Sequence, residues 1–145
     1  MTTDAPICTV RHVDHVGIAV TNVEEAKALF ETLFGAPEAK ILEDPGRNLR
    51  AALLEIGQTR IELLESTDPE NVIGRFVASR GGGLHHLAFQ VEDVRERLAS
   101  LKAAGIPLVN EEPVHGFTGS IAFIRPEAVE QVLVELVQPH PKGTK

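Results

Sequence analysis

The chain carries one pattern twice. Asp14-His15-Val16-Gly17-Ile18-Ala19-Val20 is matched further on by His85-His86-Leu87-Ala88-Phe89-Gln90-Val91. Each matched histidine is followed seven residues later by a helix-capping residue, Asn22 in the first copy and Asp93 in the second. The closing segments repeat as well, Ile61-Glu62-Leu63-Leu64 against Val134-Glu135-Leu136-Val137. His15 and His86 stand 71 positions apart and Glu62 and Glu135 stand 73 apart, so the copies differ by a two-residue insertion or deletion. Self-similarity at a fixed period constrains a fold more than any local propensity does.

Within the first copy, Val10–Val20 reads as a strand. Alternation puts His15, Gly17 and Ala19 on one face and Val16, Ile18 and Val20 on the other. The apolar face should meet a helix; the small His/Gly/Ala face suits a cavity wall. Asn22 with Glu25 three residues later signals a capped helix, whose apolar face is Val23, Ala26, Phe30 and Leu33. Gly35 and Pro37 end it. Lys40–Leu42, Leu49–Ile56 and Thr59–Glu65 read as strands, with a tight hairpin at Gly57-Gln58. Thr67–Arg80 is a connector in which Asp68-Pro69 predicts a helix start, and Gly81-Gly82-Gly83 is a flexible joint. The second copy reads Leu84–Val91 strand, Asp93-capped helix to Gly105, short strand Pro107–Val109, loop Glu111–Gly119, and closing strands Ser120–Ile124 and Val132–Val137. The tail from Pro139 is polar and expected to fray. Each half is therefore β-α-β-β-β, an α+β arrangement. The division is 10–66 for the first module, 67–82 for a helical connector and 83–138 for the second module, all within one compact domain of 145 residues.

Duplicated units commonly sit about a pseudo-two-fold axis on which matching positions converge. Glu62 and Glu135 each lie inside an apolar strand, where a carboxylate must be paired, protonated or metal-bound. One histidine or one glutamate in a strand usually serves structure; the same pair in both copies points to a shared task. His15, Glu62, His86 and Glu135 together form a divalent-metal site. Mixed nitrogen and oxygen ligation suits Co, Ni, Mn, Fe or Zn rather than Ca or Mg. On an octahedral ion, four protein ligands leave two positions for a substrate with two oxygens. His85 has the parity opposite to His86 and should face away, in a packing or hydrogen-bonding role. His12 is expected to be exposed, and His115 is a candidate for the mouth of the cavity.

Charge and composition narrow the partners. A net charge of -7 argues against nucleic acid, which needs a basic face. The single Cys8 excludes an intrachain disulfide and fits a reducing compartment. No apolar run is long enough for a membrane span, and Met1–Pro6 lacks the regions of a signal peptide. The expected location is the cytoplasm, with no membrane partner.

The segments Asp14–Val20, Gly57–Glu65, Gly83–Phe89, Glu111-Glu112-Pro113 and Val132–Val137 resemble the vicinal oxygen chelate superfamily and, within it, the methylmalonyl-CoA epimerase family. The resemblance runs from about Val10 to Gln138. It implies a cup-shaped mixed sheet built from two βαβββ modules, a central metal and a homodimer. It places the metal ligands on His15, Glu62, His86 and Glu135, with one divalent ion per chain, Co2+ favoured and Ni2+, Mn2+ or Zn2+ as alternatives. It implies epimerisation of an acyl-CoA, methylmalonyl-CoA, with Glu135 as a catalytic base. Some relatives have glutamine where Glu62 stands; the extra negative charge should tighten metal binding while slightly reducing the metal's acidity. Ala51 stands where some relatives carry a second basic glutamate, and Glu55 lies too far along the strand to replace it. Glu127 replaces a lysine that could meet CoA phosphates, while Arg125 keeps a positive charge. Arg47, Arg50 and Arg60 are the candidates to neutralise an anionic thioester.

The alternative reading is a glyoxalase I-like lyase, which moves a proton on a glutathione adduct with the same four ligands. An extradiol dioxygenase needs two histidines and one carboxylate, so Glu62 counts against it. A drug-sequestering member would lack the ligands and offer aromatic surface, whereas this chain has no Trp or Tyr.

Overall fold

The computed structural model describes residues 5–141. The expectations for Met1–Asp4 and for the last four residues of the tail fall outside that range. Among the described residues, eight strands and three α-helices follow one another as β1 (His12–Ala19), α1 (Val23–Phe34), β2 (Ile41–Asp44), β3 (Leu49–Ile56), β4 (Thr59–Ser66), α2 (Val72–Arg80), β5 (Gly83–Gln90), α3 (Val94–Ala103), β6 (Val114–His115), β7 (Gly119–Ile124) and β8 (Val134–Pro139). Hydrogen-bonded neighbours run β2-β3-β4-β1-β5-β8-β7-β6. The β1–β4 and β5–β8 pairs are parallel and the pairs within β2–β4 and β6–β8 antiparallel. This is the expected α+β class, a mixed sheet with βαβββ order in each half.

Residue contacts group the chain into two units, one spanning His15–His86 and one combining the residues up to Asp14 with those from Leu87 onward. In the His15–His86 unit, Val23, Ala36, Ala52, Leu54 and Leu63 form the core, with Ile18, Val20, Ala26 and Phe30 packed on it. The apolar face of β1 thus meets α1, as alternation requires. The Asn22 side chain accepts a hydrogen bond from the Glu25 amide at 2.8 Å, and Gly35 ends the helix with φ +68°. In the other unit, Val91, Val94, Leu98, Leu101, Ala122, Ile124, Val134 and Leu136 are the core, with Cys8 and Val10 against it.

The repeat reappears in hydrogen-bond detail. The Val20 amide donates to the Leu64 carbonyl, and the Val91 amide to the Val137 carbonyl. The first amide of α1, on Val23, donates to Glu65; the first amide of α3, on Val94, donates to Gln138. Glu65 and Gln138 each lie three residues beyond the matched glutamates. The sequence offsets between the copies are therefore preserved in the bonding of both units.

Three local expectations change. Pro107–Val109 is not a strand; only Leu108 bridges to Ile124, and the short strand β6 is instead Val114–His115, inside the supposed loop. The connector helix starts at Val72, not at Asp68-Pro69, because the Asn71 side chain captures the Gly74 amide at 2.8 Å and becomes the cap. The last strand begins at Val134, two residues late, since Glu130 and Gln131 take positive φ values of 50° and 68° in the preceding turn.

Candidate metal centre

β1 and β4 run parallel with Gly17 opposite Glu62. His15 precedes Gly17 by two residues on the same face of β1. His86, on β5, lays its imidazole over Gly17: a Cβ there would stand 2.1 Å from His86 Cε1. Glycine is thus required by contact rather than by backbone angle. The result is a cluster within the His15–His86 unit. His15 Nε2 lies 3.1 Å from His86 Nε2, and the Glu62 Oε1 atom lies 3.5 Å from the first and 3.3 Å from the second. All three residues are buried, His15 completely.

Two imidazole nitrogens that face each other can share a single proton, and a buried carboxylate demands a positive partner. A divalent ion satisfies all three groups at once. Neighbouring donors on an ion with bonds of about 2.1 Å stand roughly 3.0–3.4 Å apart; the separations here are 3.1, 3.3 and 3.5 Å, close to that range. The donor set and its spacing fit a divalent transition metal.

Glu135 belongs to the other unit. It is buried at 3% exposure on β8, opposite Ala88 of β5. The register repeats that of the first copy: Gly17, two residues after His15, faces Glu62, and Ala88, two residues after His86, faces Glu135.

The remaining candidates separate. His85 is half-buried; its Nδ1 lies 3.0 Å from His86 Nδ1, and its ring meets Phe76 edge-on. The expected packing and hydrogen-bonding role is thus present, and the tertiary structure supplies the packing partner, Phe76 of α2. His12 is exposed, as expected. His115 is exposed on β6 and stacks on His140 with ring centroids 4.7 Å apart. Ala51 is fully buried on β3. Its neighbour two residues on, Leu53, faces Glu62, so Ala51 shares the face of the His15–Glu62–His86 cluster. Glu55 is exposed and pairs with Arg60 at 3.8 Å, away from that face's centre.

The three arginines offered for substrate binding have carboxylate partners of their own. Arg47 pairs with Asp44, and Arg60 with Glu55. Arg50 binds Glu24 through both terminal nitrogens and reaches Glu43 and Glu65. Those carboxylates, Glu24 first, push the Arg50 guanidinium further above its already high range. Arg50 is a strut between α1, β2, β3 and β4. No helix among the described residues is long and apolar enough to cross a membrane.

Comparison with known proteins identifies the family. Residues 14–124 match the family described as the Glyoxalase/Bleomycin resistance protein/Dioxygenase superfamily. An ethylmalonyl-CoA/methylmalonyl-CoA epimerase of Cereibacter sphaeroides is 31% identical, over 86% of this chain and 96% of the relative. The mitochondrial methylmalonyl-CoA epimerase of Homo sapiens is 30% identical, over 86% of this chain and 72% of the relative. The crystal structure of methylmalonyl-CoA epimerase from Mycobacterium tuberculosis superposes with a TM-score of 0.87 at 31% identity, over 97% of this chain and 95% of that one. The chain belongs to the glyoxalase/bleomycin resistance protein/dioxygenase superfamily, on its methylmalonyl-CoA epimerase branch.

Proposed function

We propose that this chain is a metal-dependent methylmalonyl-CoA epimerase, with His15, Glu62, His86 and Glu135 as the metal ligands and Glu135 as a catalytic base. The observation that carries the reading is the buried His15–Glu62–His86 cluster, with donor atoms 3.1–3.5 Å apart. Each of the four residues is buried and offers one ligand atom. The matched register of Glu62 and Glu135 supports giving the second glutamate the role of the first. The relatives named as epimerases support the substrate class.

A divalent ion held there supplies Lewis acidity toward the thioester and carboxylate oxygens of a malonyl thioester, making the proton between them easier to remove. His15 and His86 hold the ion with neutral donors, and Glu62 adds a negative charge that tightens its grip. Glu135 takes the α-proton, a task for which the carboxylate must be unprotonated and within reach. On the face of Glu62, Ala51 and Leu53 carry no ionisable group, so neither supplies the proton to the opposite face. Co2+ is the favoured ion, with Ni2+, Mn2+ or Zn2+ able to take its place. Residues 10–66 and 83–138 act as copies of one module joined by the connector 67–82, and the working form is a cytoplasmic homodimer. Arg125, exposed at the head of the 3-10 turn Pro126–Ala128, is the cation offered to the CoA phosphates.

The test is label exchange. The Co2+-loaded protein is incubated with methylmalonyl-CoA in deuterated water, and label entry at the α-carbon is followed by NMR. Exchange well above the rate with Co2+ alone is expected; exchange at that rate overturns the substrate assignment. Glu135→Gln is expected to keep part of its metal and lose turnover, and full turnover removes Glu135 from the chemistry.

A second reading, a glyoxalase I-like isomerase, is favoured by one observation: Ala51 sits fully buried on the metal-cluster face, where the resemblance expects a second glutamate. Turnover of the hemithioacetal of methylglyoxal and glutathione, without exchange on methylmalonyl-CoA, would select it.

A further inference from the structure

His86 has both ring nitrogens engaged. Its Nε2 faces His15 Nε2 at 3.1 Å and Glu62 Oε1 at 3.3 Å, while its Nδ1 lies 3.0 Å from His85 Nδ1. A contact between two imidazole nitrogens carries one hydrogen, and its position decides what Nε2 can do. With the hydrogen on His86 Nδ1, a neutral His86 presents a lone pair at Nε2. With the hydrogen on His85 Nδ1, a neutral His86 must protonate Nε2 and cannot ligate.

His85 is itself held. Its ring meets Phe76 edge-on at 5.0 Å, with an interplanar angle of 87°, and the Arg80 guanidinium covers Phe76 at 5.1 Å. Phe76 and Arg80 are one turn apart on α2, so they share a helix face. The Gly82 backbone approaches β1 closely, a Cβ there standing 2.8 Å from the Ala19 carbonyl oxygen. The joint between α2 and β5 therefore runs close against β1. The connector between the two modules has a task beyond joining them.

We propose that His85 is a positioning residue: its Nδ1 accepts a hydrogen bond from His86 Nδ1–H, fixing His86 in the tautomer that aims the Nε2 lone pair into the metal cluster, and Phe76 of α2 holds His85 in place. A histidine ligand whose other nitrogen is bonded in this way keeps both its tautomer and its ring orientation. The inference rests on the metal reading above for its purpose, but the tautomer can be measured without metal.

The experiment uses the full chain labelled with 15N-histidine. Long-range nitrogen–proton NMR of the metal-free wild type is expected to show His86 protonated at Nδ1; protonation at Nε2 overturns the proposal. His85→Phe keeps a ring against Phe76 and removes the acceptor. It is expected to lower Co2+ affinity about 10–100-fold in a competition titration and to change the Co2+ absorption spectrum, with the metal-free melting temperature little moved. His85→Asn, which restores an acceptor oxygen, is expected to recover part of that affinity. Affinity of His85→Phe within about twofold of wild type overturns the role. Should His85→Phe fail to fold, the wild-type tautomer decides the question. A wild type that takes up no Co2+ overturns the metal reading instead, and the tautomer still answers for His85.

Discussion

Gly17 shows how much one missing side chain can matter. It sits between two metal-ligand candidates, following His15 on β1 and facing Glu62 on β4, and the His86 imidazole fills the space where its Cβ would be. Gly17→Ala must push that ring away, because the nearest atoms belong to a buried imidazole rather than to a flexible chain end. Crowding of this kind costs roughly 1–3 kcal/mol. We expect a lower melting temperature and at least about a tenfold loss of Co2+ affinity, in proportion to the displacement of His86. A variant binding Co2+ like wild type would show that the ring is not needed where it lies. Asp44 offers a pH test at the same scale. Its carboxylate accepts from the Arg47 side chain at 2.6 Å and from the Arg47 amide at 3.2 Å, which hold it below its ordinary value of 3.8. The unfolded chain then binds this proton more readily than the folded one. The contribution to stability is present above the ordinary value and is lost as pH falls through the folded one. Urea midpoints should therefore drop more for wild type than for Asp44→Asn between pH 7 and acid, and parallel profiles would contradict the assignment.

At the scale of elements, the chain places its chemistry on strands and braces those strands with helices. The matched histidines and glutamates lie on the two parallel pairs, β1–β4 and β5–β8. α1 and α3 repeat the same anchoring, each giving its first amide to a side chain at the end of the parallel strand. The anchors differ in charge: Glu65 meets the positive end of α1, while neutral Gln138 serves α3. Glu65 also belongs to the Arg50 cluster, in which one guanidinium holds three carboxylates from α1, β2 and β4. Arg50→Met should leave those carboxylates facing one another. We expect a lower melting temperature at low salt, with the gap to wild type narrowing as salt screens the repulsion. A gap independent of salt would mean that the lost contribution is packing of the arginine stem.

At the scale of the whole molecule, the acidic balance of -7 argues against a nucleic-acid partner, and the proposed anionic acyl-CoA would have to be met by local cations. Leu29, Leu33 and Phe34 on α1 are 54%, 60% and 66% exposed, an apolar strip that an isolated chain would leave in water. For the proposed homodimer, light scattering after size exclusion should give twice the chain mass of 15.7 kDa. If α1 forms the contact, Leu33→Glu combined with Phe34→Ser should shift the mass toward one chain, whereas a wild-type mass of one chain would refute the dimer. The repeat, the βαβββ order, the two capped helices and the His/Glu pairing were all legible in sequence, because hydrophobic alternation, capping residues and a duplicated pattern are local signals that survive in one dimension. The strand expected at Pro107–Val109 was not, since Val114 and His115 gained their pairing from β7, a partner that composition does not announce. Nor was the engagement of Arg50 and Arg60 with protein carboxylates, which depends on strand register and, for Arg50, on where α1 lies. Sequence by itself determined which residues could bind a metal. Only the tertiary structure decided that Gly17 clears the space for His86 and that α2 brings Phe76 to His85, because contacts between side chains far apart in the chain exist only once the strands are paired and the helices packed.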